Sequence, residues 1–140
     1  MSGRTSGLEA TGIALLRIVI GIVFVLHGWQ KITVFGFDGT AKFMEGLGLP
    51  LPAVSAACAI AAEFGGGIAL TLGLFTRFAA IPLAFTMVVA ALSAHVSKGF
   101  FLPEGYEYTL VLFAACIAIA CLGPGSASID GLRARRRPAG

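Results

Sequence analysis

Charged residues are scarce in this chain. Only 12% of the 140 residues are Asp, Glu, Lys or Arg, whereas 57% are hydrophobic, and the mean hydropathy is +0.91. Soluble domains carry about 25% charged and about 45–50% apolar residues, so this composition excludes an ordinary soluble fold. Because a soluble chain of this length buries only about 70% of its surface, lipid is the solvent that the composition predicts.

Cysteine is also scarce, and Cys58, Cys116 and Cys121 all lie within apolar stretches. They form no close C-x-x-C pair, and no histidine lies near them at metal-ligand spacing. We expect all three to be small buried core residues. The sequence has no haem, flavin or iron–sulfur motif, which argues against electron transfer by this chain alone.

Four apolar stretches, separated by breaks rich in glycine and proline, organise the chain. They cover residues 13–35, 53–74, 78–96 and 106–122. A helix needs roughly 20 residues to cross a bilayer core about 30 Å thick, and backbone groups in lipid must bond within their own segment. The sequence therefore predicts an all-α membrane protein, a bundle of four transmembrane helices of which the fourth is the shortest.

Basic residues predict the orientation of the bundle. With both termini cytoplasmic, the inner side holds Arg4, Arg17, Arg77, Arg133, Arg135, Arg136 and Arg137, against Lys31, Lys42 and Lys98 on the outer side. We expect a cytoplasmic segment over 1–12, a transmembrane domain over 13–122 and a disordered basic cytoplasmic tail over 123–140. Such a flank suits a lipid bilayer, and nucleic acid is not an expected partner.

Two further features leave alternatives open. Residues 40–48 carry Phe43, Met44 and Leu47 at helical spacing, and form either a short helix in the outer interface or a surface loop. Arg17 lies about one turn inside the first stretch. We expect its side chain to extend to the lipid headgroups, and the alternative is a salt bridge with Glu9 or Asp130.

Glu63 lies within the second apolar stretch, about 15 Å from its end at 1.5 Å per helical residue. A charge near the bilayer centre costs about 2.5–3.5 kcal/mol, which makes an intramembrane acid a functional candidate. Its helix face carries only small residues, namely Ala56, Ala59, Gly66 and Gly67, so Glu63 should face the bundle. The structural alternative is a carboxylate paired with a basic residue of a neighbouring helix.

Six more polar side chains lie at the outer ends of the stretches, namely His27, Lys31, His95, Lys98, Glu107 and Tyr108. Alternating helix directions bring them all to the outer side, with Glu63 beneath them. Such a layer could relay protons, bind a polar ring such as a quinone head group, or hold a metal through His27, His95 and a carboxylate. No spacing in the sequence demands a metal.

At these same positions the chain resembles the DoxX family of small bacterial membrane proteins. The matching pieces are Leu16-Arg17, His27-Gly28-Trp29-Gln30-Lys31, Gly48-Leu49-Pro50, Glu63-Phe64-Gly65-Gly66, Gly73-Leu74-Phe75-Thr76-Arg77, His95, Lys98-Gly99-Phe100-Phe101, Glu107-Tyr108, Gly123-Pro124-Gly125 and Ser128-Ile129-Asp130. The resemblance spans residues 15–130 and is carried by the order and spacing of the pieces together.

The resemblance implies a four-helix bundle of the bacterial inner membrane that is linked to redox chemistry, since the family takes its name from a subunit of a thiosulfate:quinone oxidoreductase. The leading hypothesis is a membrane subunit of a redox system with an outer-half pocket for a quinone-like small amphipathic ligand. Glu63 and His27 would exchange protons with the head group, and Lys31 or Lys98 would stabilise a developing anion. His95, Glu107 and Tyr108 complete the candidate ligand site.

Two other functions remain open, and with them the question of whether the protein is an enzyme. One is a non-catalytic membrane anchor or assembly factor for a soluble oxidoreductase. The other is a small proton-coupled transporter, although the sequence has no inverted repeat. A homo-oligomer is also open, because the glycine run at Gly65, Gly66 and Gly67 suits close contact between helices.

Overall fold

The computed structural model describes residues 6–136, and within them it contains helices and no strand. The helices are α1 (Gly7–Thr33), α2 (Gly36–Gly46), α3 (Pro52–Leu72), α4 (Thr76–Lys98), α5 (Glu107–Leu122) and α6 (Ile129–Arg136). By length and hydropathy α1, α3 and α4 can cross a membrane. With 16 residues α5 is about 24 Å long, shorter than a typical bilayer core, so its crossing stays a prediction.

Local sequence signals set the first residues of α1 and α3. At the start of α1, Ser6 and Glu9 form a capping box, in which each side chain bonds the other residue's backbone N–H. This cap starts the helix at Gly7 instead of residue 13. Pro52 occupies the first turn of α3, a position where its missing N–H costs nothing.

Two turns of π-helix interrupt the transmembrane helices. One covers Ala61–Gly66 in the middle of α3, and the other covers Ala91–His95 near the carboxyl end of α4. Turns of this kind are rare and occur frequently at functional sites. The first contains Glu63 and the second ends at His95, so both π turns carry a residue of the candidate site.

Close helix contacts hold α1 against α3. A Cβ at Gly28 would lie 2.6 Å from the backbone nitrogen of Phe64, and a Cβ at Gly67 would lie 2.8 Å from the carbonyl oxygen of Gly21. Only glycine permits backbones to approach this closely. Gly67 is therefore used inside the bundle, as is Gly66, which faces Leu83.

The core between the helices is small and apolar. Its fully buried side chains include Phe24, Leu70, Leu83 and Ile119, with Cys116 among them. The prediction that all three cysteines are buried is confirmed for Cys116 and is wrong for Cys58 and Cys121, which are exposed. Their helix faces point away from the core, which the apolar flanks of each cysteine could not reveal.

The segment at residues 40–48 is helical over most of its length, as α2 shows. Thr40 and Met44 form its buried face, and Met44 packs on Ala56 and Ala59 of α3. The prediction of a helix is thereby confirmed, and its placement in the outer interface stays a prediction. The cytoplasmic placement of both termini stays a prediction, and Arg4 and Arg137, which contributed to it, lie outside the described residues.

Arg17 does not extend to the lipid headgroups, so that prediction is wrong. The side chain is 1% exposed, and its guanidinium donates to the carbonyl oxygens of Leu70, Thr71 and Ala127. Among residues 6–136 it forms no ion pair, so the salt bridge with Glu9 or Asp130 is wrong as well. The guanidinium thus adds donors to carbonyl oxygens at the end of α3, where the Leu70 oxygen also accepts from the Gly73 N–H at 3.1 Å.

The prediction of a disordered tail is also wrong for its described part. Residues Ile129–Arg136 form α6, and the segment before it packs on the inner end of the bundle. Asp130 accepts a hydrogen bond from the backbone N–H of Thr76 at 3.1 Å and thereby caps α4. The Asp130 N–H in turn donates to the Gly73 carbonyl at 2.9 Å.

Candidate functional site

An ion pair joins α1 to the π turn of α3. Lys31 Nζ lies 2.6 Å from Glu63 Oε2, and the two side chains are 19% and 5% exposed. Glu63 therefore faces the bundle, as its small neighbours predicted. The structural alternative, a basic partner on a neighbouring helix, is also what the structure shows. This partner does not by itself assign Glu63 a purely structural role, because the pair also borders a cavity.

This cavity, called the outer cavity after the side that the predicted orientation gives it, has a volume of about 620 Å³ and is walled by α1, α2, α3, α4 and α5. Its polar end is formed by His27, Lys31, Glu63, His95 and Tyr108, and the rest of its wall is mainly apolar. Small-molecule sites in proteins typically measure about 300–1,000 Å³ and combine an apolar wall with a few polar groups. The cavity has the size and the lining of such a site.

His27 and Tyr108 face each other across the polar end, with ring centroids 6.2 Å apart. Within residues 6–136, neither the His27 imidazole nor the Tyr108 hydroxyl takes part in a hydrogen bond. Both groups can donate to or accept from a ligand. His95 is less free, because its Nδ1 lies 2.8 Å from the Glu104 carbonyl oxygen.

The structure brings five of the seven candidate residues to the cavity and leaves two outside it. Lys98 pairs with Glu104 at 3.4 Å on the surface. Glu107 accepts a hydrogen bond from the Leu102 N–H at 2.7 Å. Both residues therefore organise the connection between α4 and α5, above the cavity and not within it.

The serine and threonine hydroxyl groups in the cavity wall are already used as donors. Ser55, Thr86, Ser93 and Thr109 each donate to a carbonyl oxygen three to five residues earlier in the chain. They can still accept a hydrogen bond. The free donors that a ligand meets are therefore concentrated at the polar end.

A metal site was one of the alternatives in the sequence. Among the residues that the structure describes, no group of three or more His, Cys, Asp or Glu side chains lies close enough to hold a metal ion. His27 and His95 border the same cavity, but no carboxylate completes a ligand set with them.

Sequence reasoning missed three features of this region. No pattern in the sequence indicated the π turns that place Glu63 and His95. Cys58, assigned to the core, lines the cavity. Arg17, set aside as a headgroup contact, ties α1 to α3 and to the segment before α6. Its early position in a helix was a signal, since an arginine there must find partners.

The sequence of the chain is similar to those of known proteins. A sequence model of the DoxX family matches residues 12–96. The chain belongs to the DoxX family. It is 37% identical to "Inner membrane protein YqjF" of Escherichia coli, with 89% of this chain and 94% of the relative covered. It is 30% identical to "Inner membrane protein YphA" of the same organism, over 83% and 86% of the two chains.

A third relative carries a functional name. "Putative oxidoreductase CatD" of Bacillus subtilis is 32% identical, with 77% of this chain and 78% of the relative covered. No solved structure matches the chain significantly. The resemblance found in the sequence is therefore confirmed, and the protein is a multi-pass protein of the bacterial inner membrane.

Proposed function

We propose that this protein is the membrane subunit of a redox system and binds a quinone-like head group in the outer cavity. The observation that carries the proposal is the Lys31–Glu63 pair, which borders an otherwise apolar cavity beside the unbonded His27 and Tyr108. The name of the Bacillus subtilis relative, a putative oxidoreductase, agrees with such a role.

The polar end suits a ring with two carbonyl oxygens. Lys31 has three N–H donors and gives one to Glu63, so others remain for a ligand. His27 and Tyr108, whose ring centroids lie 6.2 Å from each other, provide a second position for a donor. A flat apolar ring would occupy the space that the wall encloses, with its oxygens turned toward these donors.

The redox step takes two electrons and two protons, and it converts the two carbonyl oxygens of a quinone to hydroxyls. A soluble partner oxidoreductase supplies the electrons from a reduced flavin, which is oxidised in turn. Each oxygen receives one proton through Glu63 or His27. Because Glu63 is the ionised acceptor of the Lys31 hydrogen bond, it first takes a proton from water and then passes it on. Lys31 stabilises the negative charge that develops on an oxygen before the proton arrives.

The proposal is tested by equilibrium binding of a quinone analogue to the purified protein in lipid nanodiscs. Trp29 is the single tryptophan, and saturable quenching of its fluorescence reports binding. Glu63→Gln should lower the affinity about tenfold or more, because one charged hydrogen-bonding group is lost. Glu104→Gln is the matched control, since Glu104 is an exposed acid outside the cavity, and it should bind normally.

Two results would contradict the proposal. Unchanged affinity and turnover in Glu63→Gln would remove this carboxylate from the mechanism. Quenching that rises linearly with the quinone content of the bilayer, with no saturation in the unmodified protein, would mean that the cavity is not a quinone site.

A second function, a non-catalytic anchor for a soluble oxidoreductase, is favoured by one observation. Lys31 and Glu63 form an ion pair with each other, so the polar layer needs no ligand in order to hold α1 against α3. In that case a partner enzyme would co-purify equally well with His27→Ala and with Glu63→Gln. Loss of the partner's quinone-dependent turnover in the same variants would favour the redox subunit.

A further inference from the structure

The outer cavity is covered on the side of the outer membrane surface. Helix α2 lies over α3, with Met44 packed on Ala56 and Ala59. Its residues Phe43, Met44 and Leu47 line the cavity from this side. All three are apolar, so the part of the wall that α2 provides offers no polar contact to a ligand coming from water.

The cavity is open at the side of the bundle. The outer half of α3 packs on α1 and α2, whereas α4 packs on the π turn and the inner half of α3. The outer halves of α3 and α4 therefore leave a gap between them. Val54 of α3 and Phe85 of α4 both line the cavity and are 55% and 68% exposed, which places them at the mouth of this gap.

The gap lies at the depth of the lipid tails. Phe85 is nine residues after Thr76, the first residue of α4, and so lies about 14 Å along the helix. A further 13 residues, about 20 Å, separate it from Lys98 at the other end. At the depth of Phe85 the side opening meets hydrocarbon and not water, whereas Val54, two residues after the start of α3, marks its edge nearer the membrane surface.

We infer that the ligand is a membrane-resident molecule with a long apolar tail, which reaches the cavity from the bilayer through the gap between Val54 and Phe85. The head group lies at the Lys31–Glu63 pair, and the tail remains in lipid outside the gap. This inference rests on the proposed function and adds the class of ligand and its route. The cavity is open at its side, between Val54 and Phe85, so the tail can extend into lipid while the ring lies at the ion pair.

The tail contributes by keeping the ligand in the bilayer. Transfer of each CH₂ group from water to an apolar medium is favourable, so a decyl chain holds the molecule in lipid. Since the tail stays in lipid when the head group binds, the ligand keeps the favourable transfer free energy of its tail. A ring without a tail has to compete from water and meets the apolar cover of α2.

Cys58 provides a reporter inside the cavity, and Cys121 provides one outside it. Both are exposed, but only Cys58 lines the cavity. Mass spectrometry of the two peptides then measures labelling at both sites in the same molecule. A maleimide with a long alkyl chain arrives from lipid, and a sulfonated maleimide arrives from water.

In the native chain in lipid nanodiscs, the alkyl maleimide should label Cys58 about tenfold faster than the sulfonated one, corresponding to about 1.4 kcal/mol in access. Val54→Trp should slow alkyl labelling of Cys58 about tenfold and leave Cys121 unchanged. Val111→Trp is the matched control, because Val111 is 63% exposed near the outer end of α5 and does not line the cavity. It should change neither rate.

A fully substituted benzoquinone with a decyl tail should protect Cys58 and not Cys121. Equal or faster labelling of Cys58 from water, or normal labelling in Val54→Trp, would overturn the side route while leaving quinone binding intact. Conversely, labelling through the gap without any protection by the quinone would preserve the route and contradict the proposed function. The two failures are therefore distinguishable.

Discussion

Lys31 of α1 and Glu63 of α3 approach to 2.6 Å at a point where both helices are also in backbone contact. The contact is made possible by Gly28, three residues before Lys31, which lies against Phe64, the residue after Glu63. The ion pair and the close packing are thus neighbours on the same helix pair. Together they set the position of the polar end of the outer cavity.

Removing Lys31 and removing Glu63 should destabilise the protein to different extents. Lys31→Met should lower the melting temperature more than Glu63→Gln, because Glu63 is the more buried side chain and would lose its cationic partner. Breaking a buried pair costs up to about 3–5 kcal/mol, whereas replacing both members can be nearly neutral. The double variant should therefore regain most of the lost stability without regaining quinone binding.

Thermal unfolding in detergent measures this, and Lys98→Met is the control. Lys98 and Glu104 form a pair at 3.4 Å whose side chains are 47% and 68% exposed, so its loss should cost at most about 1 kcal/mol. Losses in Lys31→Met and Glu63→Gln that simply add in the double variant would show that the two side chains do not stabilise each other.

Replacing Arg17 should destabilise the inner end of the bundle. Arg17→Met leaves the carbonyl oxygens of Leu70, Thr71 and Ala127 without their donor, and hydrogen bonds to a charged group contribute about 1.5–3 kcal/mol each. We expect a loss of about 3 kcal/mol or more, with quinone affinity retained by the protein that remains folded. Arg17→Lys should restore little, because an ammonium group cannot span these acceptors as a planar guanidinium does.

Arg77→Met serves as the control for this change. Arg77 is exposed and donates one hydrogen bond, to the Ala120 carbonyl oxygen at 2.9 Å. Its loss should lower the melting temperature far less. Equal effects of the Arg17 and Arg77 substitutions in thermal unfolding would mean that burial of Arg17 contributes nothing to stability.

Gly28→Ala should weaken the contact between α1 and α3. The added Cβ would lie 2.6 Å from the backbone nitrogen of Phe64, so a helix has to move. Overpacking of this kind costs about 1–3 kcal/mol. Because Lys31 and Glu63 flank the contact, quinone affinity should fall as well.

Gly65→Ala is the matched control, since a Cβ at Gly65 meets nothing within 4 Å. Alanine favours helix over glycine by about 1 kcal/mol, so the melting temperature should be unchanged or slightly raised. Should Gly28→Ala melt at the same temperature as Gly65→Ala, the close approach would have no energetic consequence.

Several features of the fold follow from the sequence because they depend on solvent and on neighbours along the chain. The apolar stretches predict helices, since lipid offers no partner for a free backbone group. The small residues around Glu63 predict that it faces another helix, and its 4% exposure agrees. The spacing of Met44 with its apolar neighbours indicated the helix α2 as one of two alternatives.

Other predictions failed because they depend on how the helices are rotated and packed against one another. Cys58 and Cys121 lie in apolar stretches like Cys116, yet only Cys116 turns toward the core. Glu107 was placed with Tyr108 at the ligand site, but it bonds the Leu102 N–H while Tyr108 borders the cavity. Adjacent residues on a helix point about 100° apart, so a shared level in the membrane does not ensure a shared cavity.

The order of residues is enough to predict that this chain lies in a membrane, that its segments are helices and that an acid is carried into the bilayer, because each follows from hydrogen bonding and solvation of nearby residues. Helix packing was needed to show that Lys31 is the partner of Glu63, that Arg17 bonds carbonyl groups instead of reaching the headgroups, and that a gap opens between α3 and α4. These features depend on how the packed helices are rotated and spaced. Contacts between residues that are far apart in the sequence determine that rotation and spacing.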